Sequence, residues 1–380
     1  MNFVLEPIEP AVAGFRVEQI ERMSKLIDAH IAEGRYPGAQ VALARHGKLA
    51  FTRNYGLAKI TPAAPARDDT VWRLYSNTKV ITAAAIWLLV EEGALSFNDR
   101  VTQHVPEFAR YGKGDITIFQ VLTHQGGFPN APAMPPEAWE DHQLLRRLVC
   151  DYTLEWTPGT RLHYHTSAAH WVLAIVIEAI TKLDFRAFIR SRVIEPLGLG
   201  DELFVGMDEV EQRRCADIYE PAKDGKTQEL IAAENTTAYR RAGIPSGGGF
   251  ATARAMAAFY QMMLGGGALN GKRLVSPRMV QYVTRNFTGE RPDGGMGDIA
   301  MHRGLGPHSR GTSEVIRGLG SLAYPGTFGH GGVGSSYCWA DPDSGVSFTY
   351  ITNSKVPDPW HSRRLELISN CVHAAIEGLD

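Results

Sequence analysis

What this chain lacks narrows its function first. Its 380 residues hold four cysteines, Cys150, Cys215, Cys338 and Cys371, far apart and without a Cys-x-x-Cys pair. That spacing predicts buried free thiols in a reducing cytosol. Charge of one sign is missing too: the formal net charge is −2 and no basic cluster occurs, which argues against nucleic acid or an anionic membrane as partner. No run approaches eighteen uncharged apolar residues, so a membrane span is not expected. The start, Met1 to Pro10, carries acids and prolines rather than a basic region followed by an apolar one, and a cytoplasmic location is the expectation. There is no internal repeat and no low-complexity tract. A G-x-S-x-G elbow is also absent, which argues against the α/β-hydrolase route to ester cleavage. His163, His165 and His170 do not make the i, i+4 pair of a helical zinc motif, and no nearby acid completes a ligand set. Neither a metal nor a cofactor is expected.

Two further patterns are decoys. Gly329-His-Gly-Gly-Val-Gly334 spells a dinucleotide fingerprint, but strand-like residues follow it where a helix is needed. Gly266 to Lys272 nearly spells a phosphate loop, with Arg273 where Ser or Thr must meet magnesium.

What is present is ordinary for a globular enzyme: 44% hydrophobic and 21% charged residues. The length allows two domains, or one with a large insertion. Residues 17–32 carry helical spacing, and the strand-like runs 38–45 and 49–55 flank a tight turn at His46-Gly47-Lys48. From about Val80 to Ala238 the pattern is mostly helical, with an apolar helix over 170–181. Strands return at 335–340 and 345–352, and a closing helix runs over about 360–376. The termini therefore build one mixed α/β domain, residues 1–79 with 240–380, around an antiparallel sheet. Residues 80–239 form a mainly helical insertion. The cleft between them is the expected site.

One segment stands out inside this frame. In Arg73-Leu-Tyr-Ser-Asn-Thr-Lys-Val80 a serine and a lysine lie one helical turn apart, followed by the apolar run Val80–Val90. Positions i and i+3 share a helix face, so the Ser76 hydroxyl and the Lys79 amine can meet. At the mouth of so apolar a helix the amine is partly desolvated, which lowers its pKa and makes a neutral base available. An N-cap serine followed by a solvated first-turn lysine would have the same spacing.

Ser76-x-x-Lys79 before a buried helix resembles the first motif of the serine β-lactamase and penicillin-binding-protein superfamily, above all class C β-lactamases and the esterases that share their fold. The resemblance covers most of the chain. Ile116–Pro129 is similar to the segment after the nucleophile helix, and Pro158–Glu178 to the second-motif region. Val193–Leu199 is similar to a recurrent helix end, and Gly247–Arg254 to a glycine-rich return to the sheet. Phe328–Ser335, running on to Asn353, resembles the third motif. The fold this implies is β-lactamase/DD-peptidase-like: α/β plus all-α, an antiparallel sheet flanked by terminal helices with a helical insertion.

The resemblance also implies roles. Tyr164 matches the tyrosine that exchanges a proton with Ser76 or Lys79. The sequence departs from the family just after it, where His165 and Thr166 replace the usual Ser-Asn or Ala-Asn. His165 is expected to line the cleft. The third motif, usually Lys-Thr-Gly or His-x-Gly, is here His330-Gly331-Gly332, and these residues are expected to meet substrate. The backbone N–H groups of Ser76 and Val333 would form the oxyanion hole. A neutral histidine in place of lysine suits an uncharged ester or amide better than a carboxylate. Phe128, Trp139 and Trp360 are candidates for an apolar pocket, although packing roles are commoner for such residues. The expected function is a serine hydrolase cleaving small to medium carboxylic esters through an acyl-enzyme on Ser76. The rivals are a β-lactamase, an amidase or D-amino-acid peptidase, an acyltransferase, and a penicillin-binding sensor that acylates without turnover.

Overall fold

The computed structural model describes residues 4–132, 134–225, 227–314 and 318–379. Its organising element is an eight-stranded sheet drawn from both ends of the chain. Gly38–Arg45 and Lys48–Lys59 pair as the expected hairpin, with His46 and Gly47 both at positive φ (47° and 77°), a turn that follows the natural strand twist. Val346–Thr352 lies antiparallel to Gly38–Arg45, with Phe348 opposite Leu43, and this pairing joins the two ends. Ser336–Asp341, Phe328–Gly332 and the short His308–Ser309 continue the sheet on that side. Glu6–Pro7 pairs in parallel with the far edge.

Period-two alternation gives the two faces different jobs. One face carries large side chains, Val41, Leu43, Trp339, Phe348 and Tyr350, packed with Phe15, Met23, Ile27, Ile368 and Val372 of the terminal segments. There the helices Val17–Ala32 and Trp360–His373 cover the sheet. The opposite face carries small ones, Ala42, Ala44, Cys338 and Ala340, so the helix Ala253–Leu264 comes close with its own Ala255, Ala257 and Ala258. Each large apolar side chain buried in this way contributes ~1.5–3 kcal/mol.

The core on this second face is continuous with the helical part. Thr78–Glu91 is buried from Thr78 through Leu89, and Ala168–Thr181 from Ala168 through Ile177. Helices apolar on every side have no solvent face to offer and end up at the centre of a bundle. The middle of the chain is not purely helical, however. Leu203–Val205 pairs with Gly249–Ala251, which also pairs with Trp72–Arg73; Tyr219–Pro221 pairs with Gln228–Leu230. Three-residue strands are too short to show a period, so the pattern of residues hides them. The small sheet matters, because Trp72–Arg73 leads straight into Ser76. The four cysteines are free, as expected; Cys371 alone is half-buried rather than buried. Among the described residues no helix is long and apolar enough to cross a membrane.

Candidate active site

Ser76 does not cap the helix. It sits in a single 3-10 turn, Tyr75–Asn77, just ahead of Thr78–Glu91. Tyr75 takes φ +48°, a conformation that costs a bulky residue roughly 1–3 kcal/mol and persists only when the surroundings enforce it. The enforcement is visible. The Arg73 guanidinium lies 4.0 Å from the centre of the Tyr75 ring, and the phenol donates to Glu234 Oε2 at 2.8 Å. Glu234 is also paired with Arg73 and with Lys355, the latter at 2.7 Å. On the other side of the turn Thr78 Oγ1 donates to Tyr75 O (2.6 Å) and accepts from Gly249 N (2.9 Å).

This turn aims Ser76 Oγ at Lys79 Nζ, 3.0 Å away. Lys79 has no exposed surface, and its amine also reaches Thr166 O (2.8 Å) and Ser246 O (2.9 Å). Burial, reinforced by the Arg303 charge, holds its pKa well below the usual lysine value. A neutral amine has two N–H groups and one lone pair. Once deprotonated, the amine gives its two N–H groups to the two carbonyls and turns its lone pair to the Ser76 hydroxyl.

Tyr164 completes the group. Its phenol hydrogen-bonds Ser76, and its ring centre is 5.0 Å from Lys79 Nζ. Burial pushes the phenol up to about 12, against the opposing effects of the Ser76 bond and the Arg303 charge. Its backbone N–H donates to Asp293 Oδ1 at 2.8 Å. Asp293 is fully buried and paired with Arg303 at 2.6 Å.

The strand Phe328–Gly332 forms the facing wall. A Cβ on Gly332 would lie 2.6 Å from Leu74 O and 2.5 Å from Ser336 Oγ, and one on Gly331 would lie 2.7 Å from the Tyr337 ring. Only glycine lets this strand come so close to the nucleophile turn. Val333, next in line, is 62% exposed and borders the same cavity, as do His330, Gly331 and Gly332. His330 is buried and held neutral by that burial. Its Nδ1 faces its neighbour's carbonyl, Gly331 O, at 2.8 Å, so Nδ1 carries the proton and Nε2 keeps a lone pair.

Two expectations need correction. His165 does not line the cavity: adjacent side chains of this non-helical segment diverge, and its ring turns inward among His124, Phe128, Trp156 and His163 with no exposed surface. Burial depresses it to about 3, so it is neutral there. The site also does not lack fixed cations. Arg303 and Lys355 border the cavity, each tied to an acid, Asp293 and Glu234. Thr166, in the place of an asparagine, contributes its carbonyl to Lys79, while Asn130 Oδ1 accepts its N–H at 2.6 Å. Phe128, Trp139 and Trp360 lie outside the cavity wall, whose apolar part is Ile244, Met296, Met301 and Leu365 with Tyr239 and Tyr337. The cavity measures about 520 Å3.

Sequence reasoning missed both ion networks, the partly buried Arg73–Glu234–Lys355 and the buried Asp293–Arg303. Their members are scattered single charges with no motif, so no local signal points to them. A third cluster, His142, Glu178 and Asp184, brings possible metal-ligand atoms within 4.8 Å of one another. Arg186 already stands there, 2.6 Å from Asp184 and 3.2 Å from His142, and the Glu178 hydrogen bond raises the His142 pKa. The Arg186 guanidinium fills the place a metal would take.

A serine–lysine–tyrosine group beside an antiparallel sheet, facing a helical bundle, with the lysine buried and the other two bordering the cavity, defines a class of protein. The chain belongs to the Beta-lactamase family, whose profile matches residues 23–369. It is 26% identical over 373 residues to the esterase/beta-lactamase LipL of Mycobacterium tuberculosis, covering 91% of this chain and 81% of that one. Among solved structures, a family VIII carboxylesterase superposes with a TM-score of 0.80 at 25% identity, covering 96% of this chain and 99% of that one. A penicillin-binding protein homolog from Caulobacter crescentus superposes with a TM-score of 0.78 at 25% identity, covering 94% and 98%. Family and neighbours together make this a serine hydrolase of the β-lactamase fold.

Proposed function

We propose that the chain cleaves small to medium uncharged carboxylic esters through an acyl-enzyme on Ser76. The observation that carries this reading is the pairing of a fully buried Lys79 amine, 3.0 Å from Ser76 Oγ, with a cavity of about 520 Å3 whose cations are already bound to acids. In the first step Ser76 Oγ attacks the ester carbonyl as its proton moves to Lys79 Nζ. The backbone N–H groups of Ser76 and Val333 receive the developing oxyanion, an arrangement that lowers the barrier by several kcal/mol. Tyr164 passes a proton to the departing alkoxide and regains one from Lys79, and the alcohol leaves. Water then attacks the acyl carbon, giving its proton to the same relay; the bond to Ser76 Oγ breaks, the relay returns the proton to Oγ, and the acid leaves.

Two relatives have names that point to esters, the esterase/beta-lactamase LipL and the family VIII carboxylesterase, whereas a relative from Escherichia coli, 25% identical over 94% of this chain, is named a putative D-alanyl-D-alanine carboxypeptidase. A second reading, β-lactam hydrolysis on the same serine, draws on Arg303 and Lys355, which could meet a carboxylate if freed from their acids. Purified protein offered p-nitrophenyl butyrate, a chromogenic cephalosporin and a D-alanyl peptide separates the readings. Steady turnover of the ester well above the other two supports the proposal. Preference for the cephalosporin or the peptide overturns it, and a burst without turnover points to a sensor.

A further inference from the structure

Most groups around the relay residues carry no charge. Facing Tyr164 are Ser76 and Lys79 from the nucleophile turn and helix, and His124, whose ring lies 4.7 Å away. His330 faces it from the strand at 6.1 Å, His165 is its chain neighbour, and His170 lies behind on the helix Ala168–Thr181. Burial holds all four of these histidines neutral. Against this background Arg303 is placed with unusual care. It is only 4% exposed, its guanidinium sits 4.6 Å from the centre of the Tyr164 ring, and it borders the cavity. Arg303 Nε donates to Asp293 Oδ2 at 2.8 Å, and the other Asp293 oxygen accepts from Tyr164 N and from Gly295 N. The loop is closed onto the tyrosine segment by Gly294 N donating to Leu162 O at 3.0 Å, and a Cβ on Gly295 would fall 2.7 Å from Tyr164 N.

We propose that Arg303, clamped by Asp293, is the fixed positive charge of the proton relay, a positioning residue that holds Tyr164 and sets the field in which Ser76 loses its proton. The chemistry is direct. A cation beside the phenol ring favours the phenolate, and the same cation disfavours ammonium on Lys79. Both effects drive the relay toward the state able to accept the serine proton. The buried charge is tolerable because Asp293 balances it, and the same carboxylate fixes the backbone of Tyr164. This inference rests on Ser76, Lys79 and Tyr164 forming the relay proposed above; it does not depend on the substrate being an ester.

The test measures how fast a fluorophosphonate probe labels Ser76 in the full chain as a function of pH, with Ser76→Ala as the blank. Ser76 Oγ bonds to phosphorus, fluoride leaves with the P–F electron pair, and the hydroxyl proton passes to the relay. The double variant Asp293→Asn/Arg303→Met removes both charges while keeping an oxygen for the Tyr164 N–H. It is expected to label at least about tenfold more slowly, with the half-maximal pH displaced upward by about half a unit to one unit. Arg303→Lys keeps the charge and is expected to retain the wild-type half-maximal pH. A folded double variant with an unmoved midpoint overturns the inference, and so does Arg303→Lys with a midpoint moved upward. If the double variant does not fold, Arg303→Lys decides alone. Intact labelling without ester turnover would sink the ester reading and leave this one standing; no labelling of wild-type Ser76 would sink both.

Discussion

Gly332→Ala tests whether closeness of the strand to the nucleophile turn is what makes the site work. The backbone φ of Gly332 is one that alanine adopts without strain, so space is the whole obstacle. The added Cβ would stand 2.6 Å from Leu74 O, ~0.8 Å short of ordinary contact, and the obstructing atom is backbone that cannot swing aside. Either the strand or the turn must therefore retreat by roughly that distance. Overpacking of this kind costs about 1–3 kcal/mol of stability. Because the same displacement separates the Val333 N–H from Ser76, kcat should fall on the order of a hundredfold, the usual penalty for misplacing reacting groups by ~1 Å. Steady-state kinetics with p-nitrophenyl butyrate, alongside thermal unfolding, measures both. Gly114→Ala is the control, since a Cβ there meets nothing within 4 Å. A Gly332→Ala enzyme that keeps kcat within about threefold of wild type would refute the reasoning, because an oxyanion donor cannot be both displaced and functional.

Ser76→Ala should lower kcat by at least about a thousandfold while leaving the unfolding temperature near wild type; residual turnover above a tenth would place the nucleophile elsewhere. Tyr164→Phe should cost about a hundredfold to ten-thousandfold in kcat with little effect on folding, since Asp293 still holds the backbone, and circular dichroism with kinetics checks both halves. Lys79→Met should abolish activity and change the pH dependence of stability. The folded-state pKa of Lys79 is depressed, so between that value and the ordinary lysine pKa the unfolded chain binds the extra proton, and wild-type stability rises with pH through this window. Methionine removes that slope. The variant should therefore gain on wild type as pH falls, by up to on the order of 1 kcal/mol per pH unit, and urea melts at several pH values would show no such gain if Lys79 were protonated in the native state.

Much of the fold was readable because its signals are local. The amphipathic helix Val17–Ala32, the hairpin around His46-Gly47 and the strand Val346–Thr352 all announce themselves through period and turn chemistry. The short strand Leu203–Val205 does not, since its pairing with Gly249–Ala251 lies with a distant partner. The same divide runs through the site. Ser76 and Lys79 are three residues apart, one turn of helix, so their meeting is legible locally even though distant residues hold the turn that carries Ser76. Nothing local says which way His165 points, and a non-helical segment turned that ring into the core while presenting its neighbour Tyr164 to Ser76.

By itself the order of residues determined which hydroxyl and which amine would meet, and which helices had no solvent face. Tertiary structure alone decided that the amine would be dry, with Thr166 and Ser246, 87 and 167 positions away from Lys79, supplying its two carbonyls. It also decided that Arg303, Lys355 and Glu234 would converge on one cavity, with Asp293 buried behind Arg303. Spacing along a helix is set by covalent geometry within a turn, whereas burial and ion pairing are properties of groups that meet only after the whole chain has closed around them.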